Sequence, residues 1–214
     1  DQRAAAEPAG RQEPRGRRIV PDFGADLAAS LLTSRGFVQI GALLIRRSRR
    51  TDAVWFAPGR EVVEDVRYMV ALALAGARFV SSESDELGLL FRQHAAPRYS
   101  TRPMASFARG CAENAVWAQE YWEQHGGLTP ARRAALSEAY AFAARQLAAV
   151  DRAEFDRAAQ RGTALGPEFL RHLPARVRWL SRIVGYRRAE SIARGWRRVR
   201  PRRKRRRANG VEEQ

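Results

Sequence analysis

An α/β fold followed by a mostly helical extension is what this sequence predicts, and three observations carry the prediction. The run from Phe37 to Ile45 is apolar and bears Gly41, the pattern of a mostly buried strand. The run from Val63 to Ala75 places Val66, Met69, Val70 and Ala73 on one helical stripe, which stops at Gly76. From Pro103 onward the character changes to helix after helix. The expected organisation is an α/β unit over residues 1–102, a helical extension over 103–200 and a disordered basic tail over 201–214.

Taken in order, residues 1–21 are rich in Pro, Gly, Arg and Glu and predict a loop. Asp22 to Thr33 carries Leu27, Leu31 and Leu32 at helical spacing. After the expected strand, a polar loop contains Pro58-Gly59, and the helix from Val63 leads to two short apolar runs, Phe79-Val80 and Leu87 to Phe91, that predict strands. Helices are expected near residues 104–124, 129–149, 151–161 and 167–182. Thr129-Pro130 suits the N-cap and first turn of the second of these, and Asp151 with Glu154 forms a capping box for the third. A last amphipathic stretch carries Tyr186, Ile192, Trp196 and Val199 among its arginines.

With 214 residues, 45% of them hydrophobic, the chain is long enough to bury one substantial core. Its formal charge of +16 is uneven, because the segment from Arg176 to Arg207 holds fifteen arginines and lysines against the single acid Glu190. The remainder is close to neutral, so the charge belongs to an appendage and not to a uniformly basic nucleic-acid-binding fold. Lys204 is the only lysine. The bias toward arginine and alanine is that of GC-rich coding sequence, which weakens arginine content as evidence for phosphate recognition. Cys111 stands alone, excludes an intrachain disulfide and fits a reducing compartment. The longest apolar runs fall far short of a membrane span, and the charged opening lacks the apolar stretch of a signal peptide. The expected location is cytoplasmic, peripheral at the inner face of a membrane.

The chemistry-bearing feature is Glu64-Asp65, which opens an amphipathic helix after a glycine-bearing strand and precedes Phe91-Arg92-Gln93-His94. Acidic residues in a first turn are also what the helix dipole favours without any catalysis. Trp55 and Phe56 precede the pair by a short loop, placed either to stack on the flat face of a ligand or to pack in the core.

Four words in this order, Gln39-Ile40-Gly41-Ala42-Leu43-Leu44-Ile45-Arg46-Arg47-Ser48, Val63-Glu64-Asp65, Leu72-Ala73-Leu74-Ala75-Gly76-Ala77-Arg78-Phe79 and Phe91-Arg92-Gln93-His94, span about residues 22 to 102. Together they resemble the C-terminal, acceptor-side half of family 2 glycosyltransferases of the GT-A fold. A weaker echo lies in Ile183 to Glu190, similar to the closing helix of several such enzymes. The resemblance implies a partial GT-A (Rossmann-like) sheet. It also implies inverting transfer from a nucleotide sugar to a hydroxyl acceptor in cell-surface polysaccharide or glycolipid synthesis.

In that resemblance Asp65 matches the general base and Glu64 its neighbour that orients the acceptor. Gly41 corresponds to the glycine loop where donor sugar or acceptor approaches the backbone, and His94 matches a ligand to the divalent ion, Mg2+ or Mn2+, that neutralises the diphosphate. The nucleotide-binding βαβ units and the paired-aspartate metal motif are expected before Asp1. The chain by itself is therefore expected to be inactive and to hold no metal. Two departures stand out: Ala53-Val54-Trp55-Phe56 replaces a pair of glycines before an aromatic, and Ala71 stands where an arginine is common.

The competing reading is a non-catalytic basic adaptor. Residues 176–207 interleave Trp179, Ile183, Tyr186 and Trp196 with cations, a pattern suited to an anionic membrane surface. The same pattern suits nucleic-acid phosphates, and it equally describes a solvated helix ending in a disordered tail. Nothing reads as a helix-turn-helix or an RNA-binding sheet, so specific nucleic-acid recognition is the least supported partner.

Overall fold

The computed structural model describes residues 23–33, 38, 40–48, 52–56, 62–80 and 104–199. These form α1 (Leu27–Leu32), a 3-10 turn (Ile40–Ala42), α2 (Glu64–Leu74), α3 (Met104–Gln124), α4 (Pro130–Leu147), α5 (Arg152–Ala164), α6 (Glu168–Arg171), α7 (Ala175–Val184) and α8 (Tyr186–Val199). No strand occurs among the described residues.

Close helix approach holds the body together. α3 turns Ala108, Ala112, Ala115 and Ala118 inward, and α4 answers with Ala135, Ala139, Ala143 and Ala144, so that the two backbones lie near each other around the fully buried Trp122, Leu136 and Tyr140. The Tyr140 hydroxyl donates to Gln119 Oε1 at 2.7 Å, which satisfies the polar end of a buried ring. α5 packs along α4 through Phe155, Ala158 and Ala159, and α1 and α2 close the other side with Leu31, Met69 and Val70.

The helix starts follow from the sequence. Thr129 Oγ1 accepts from Arg132 N at 3.3 Å with Pro130 in the first turn, and Asp151 Oδ1 accepts from Glu154 N at 3.1 Å. Asp26 caps α1 through Ala29 N at 3.0 Å while its other oxygen accepts from Arg132 Nε at 2.8 Å, which ties α1 to α4. α2 ends as its glycine predicts: Gly76 adopts φ 84° and Ala77 N reaches back to Leu72 O at 3.0 Å.

The α/β expectation is overturned, and with it the resemblance to a partial GT-A sheet. Phe37 to Ile45 was the strand on which that reading rested, yet Ile40–Ala42 is a 3-10 turn, Leu44 is 102% exposed and Ile45 is exposed as well. An extended run needs a neighbouring strand to pair its backbone groups, and among the described residues it has none; Leu43 N turns back to Ile40 O at 3.2 Å instead. Phe79-Val80 forms no strand either, and the Phe79 ring lies edge-to-face with Phe23, centroids 5.8 Å apart. The expected strand at Leu87 to Phe91 lies outside the described residues. The helix expected over 167–182 is broken into α6 and α7 by Leu173-Pro174, since proline supplies no N–H to continue the ladder.

Candidate functional site

The site grows from an unusual helix start. Val63 precedes α2 in the left-handed region at φ 55°, ψ 28°, and it gives the helix no side-chain cap. For a β-branched residue that conformation costs about 1–2 kcal/mol, so something else must hold it. The holding comes from α3. Asn114 Nδ2 donates to Val63 O at 2.9 Å, a fully buried bond between positions far apart in sequence. One turn earlier Gly110 lets the chain lie directly on the helix, because a Cβ there would stand 2.4 Å from Val63 Cγ2 and 2.9 Å from Val62 O. Arg67 adds a third tie, its guanidinium lying 3.5 Å over the Trp117 ring.

The bent backbone places Glu64 and Asp65 together at the opening turn of α2, both half-buried. Asp65 Oδ1 accepts from Val66 N at 2.8 Å. Cys111 of α3 lies close enough for the Asp65 charge to act on it. Its thiol is pushed up from 9.0 to about 12, by burial first and by that carboxylate second, so the sulfur stays protonated at neutral pH and is no nucleophile.

Beside this turn lies a shallow groove lined by Ile45, Arg47, Asp52, Val54, Trp55 and Tyr68. Trp55 is 82% exposed, and Phe56 stacks on Tyr68 with ring centroids 4.3 Å apart and planes 15° apart. Arg47 Nε pairs with Asp52 Oδ1 at 3.3 Å within the groove. Tyr68 stands one turn after Glu64 and three residues after Asp65, so all three share a face of α2. The arrangement combines flat aromatic surface, hydrogen-bonding side chains and a carboxylate pair fixed from behind.

Of the predicted residues, the structure sets Glu64 and Asp65 at the start of α2, puts Trp55 in the groove lining with Tyr68 of the same helix, stacks Phe56 on Tyr68, and keeps both aromatic side chains out of the core. Gly41 is exposed in the 3-10 turn, and from its segment Ile45 and Arg47 line the groove. His94 lies outside the described residues. Among the described residues no three His, Cys, Asp or Glu side chains gather as metal ligands. Val63, Tyr68, Gly110 and Asn114 were missed in the sequence. The available signal was Gly110 and Asn114 at helical spacing on the alanine-lined face of α3, where a glycine and an amide have no reason to be unless another backbone approaches.

Among the described residues no helix is long and apolar enough to cross a membrane. Comparison with protein-family models, with curated proteins and with solved structures finds no match to this chain.

Proposed function

We propose that this chain contributes to a sugar-transfer site, in which Asp65 takes the proton from an acceptor hydroxyl. As that oxygen forms its bond to the anomeric carbon of a nucleotide sugar, the bond from that carbon to the nucleotide diphosphate breaks. A carboxylate suits the step because the hydroxyl turns acidic only as the new bond forms, so the base needs to be ionised and adjacent more than intrinsically strong. Glu64 orients the acceptor. Trp55 and the stacked pair Phe56 and Tyr68 offer flat apolar surface on which a sugar ring rests. The acceptor belongs to a cell-surface polysaccharide or glycolipid, and the work is done at the cytoplasmic face.

The observation that carries this reading is the strained Val63, pinned by Asn114 and Gly110 at the start of the helix whose Glu64 and Asp65 open it and whose Tyr68 lines an aromatic groove. Strain of this kind persists where the surrounding structure over-determines it, and such places cluster at functional sites. The test is turnover of nucleotide sugars by the full-length natural protein against Asp65→Asn and Trp55→Ala. Asp65→Asn is expected to lower transfer by about 100-fold or more, and Trp55→Ala to raise the acceptor KM. Full transfer by Asp65→Asn would remove the assignment.

A further inference from the structure

The pair α7 and α8 is amphipathic in an unusual sense. α7 turns Val177 and Ser181 toward the body, with Leu180 and Val184 half-buried beside them. The face opposite, which an ordinary surface helix gives to polar residues, centres on Trp179 at 62% and Ile183 at 64% exposure. These two stand one turn apart and therefore form a single apolar spot. Arg176 and Arg182 flank them, both exposed and, among the described residues, without an acidic partner.

α8 packs on α7 and repeats the pattern. It buries Tyr186, Ala189 and Ala193, and it exposes Ile192 and Trp196 one turn apart. Its acid, Glu190, is buried and paired with Arg197, so it does not offset the arginines outside. Tyr186 does not belong to the outer face, since its ring packs against Phe169 at 5.0 Å and Phe155 at 5.9 Å. Over residues 175–199 the sequence carries eight arginines against that single acid.

We infer that α7 and α8 dock on an anionic lipid bilayer, with Trp179, Ile183, Ile192 and Trp196 entering the headgroup boundary and Arg176, Arg182 and Arg188 meeting lipid phosphates. Charge complementarity selects an acidic surface, and the apolar spots select a bilayer among acidic surfaces. An exposed isoleucine gains nothing from nucleic-acid phosphates or base edges, whereas it gains burial at a lipid interface. Tryptophan beside arginine is the pairing that sits at headgroup level. The contact is peripheral and independent of the sugar-transfer reading.

The test is flotation of the full chain with vesicles of phosphatidylcholine alone and of equal parts phosphatidylcholine and phosphatidylglycerol. The chain is expected to float with the acidic vesicles at low salt and to leave them as salt is raised. Trp179→Ala combined with Trp196→Ala is expected to weaken partition by about tenfold, and Arg176→Gln with Arg182→Gln to flatten the salt dependence. Should the Trp196 change alter the melting curve, Trp179→Ala alone carries the comparison, with Trp179→Phe restoring binding. Equal partition to both vesicles, unchanged partition of the tryptophan variants, or capture by a single-stranded oligonucleotide in preference to acidic vesicles would each overturn the proposal.

Discussion

Two helix starts on the same α3 face opposite problems and solve them differently. α5 begins at Asp151, an extended residue at φ −147° whose carboxylate caps Glu154 N and whose second oxygen accepts from Arg109 Nη2 of α3 at 3.0 Å. α2 begins at Val63, a left-handed valine with no cap, held by a buried amide and by a glycine of that same α3. At Asp151 every local choice agrees with the global fold, and the residue serves stability. At Val63 the local preference is overruled from outside, and what the overruling accomplishes is the placement of Glu64 and Asp65. The comparison teaches where to look for function: at the start that the chain would not have chosen alone.

The largest effect on that contrast is expected from Gly110→Ala. In an ordinary helix interior this change stabilises by about 1 kcal/mol. Here the new Cβ meets Val62 O and Val63, so a loss of about 1–3 kcal/mol in denaturant unfolding is expected. Stabilisation would mean that α3 does not hold the α2 start at all. Asn114→Ala comes next. It leaves the buried Val63 carbonyl without a donor, at a cost of about 1–2 kcal/mol, and it is expected to lower sugar transfer beyond what the lost stability explains.

The smallest effect belongs to the capped start. The Glu154 N–H first, and the Arg109 guanidinium second, hold the Asp151 carboxyl below its ordinary value of 3.8. A depressed folded value means that its contribution is complete above 3.8 and is lost as pH falls through the lower folded value. Asp151→Asn keeps a capping oxygen but drops the charge. Its melting temperature is therefore expected to lie slightly below that of the wild type at neutral pH, with the gap closing on acidification below 3.8. A gap that widens in acid would reverse the assignment.

Much of the helical body was legible, and the reason is that its signals are local. Thr129-Pro130, Asp151 with Glu154, and Gly76 each announce an end through the chemistry of a few neighbouring residues, and each end falls where expected. α3 runs Met104–Gln124, the span expected where helical character begins after Pro103. The strand at Phe37 to Ile45 failed because a strand exists only with a partner, and an apolar run states nothing about whether one is present. Pro174 divided a helix whose apolar spacing continued across it. At the candidate site, Glu64, Asp65, Trp55 and Phe56 were legible as residue types. The device that sets them was not, because Val63, Gly110 and Asn114 act through a contact between positions some fifty apart. The outward Trp179 and Ile183 were visible as aromatic and aliphatic residues among arginines, whereas the burial of Tyr186 required the fold.

The central claim is that Asp65 serves chemistry where Asp151 serves stability, and a paired measurement on the full-length natural protein tests it most directly: sugar turnover and melting temperature for Asp65→Asn and Asp151→Asn side by side. The account predicts that Asp65→Asn loses turnover with its melting temperature nearly unchanged, while Asp151→Asn melts lower with turnover intact. Retained turnover in Asp65→Asn, or parallel losses of both quantities in the two variants, would contradict it.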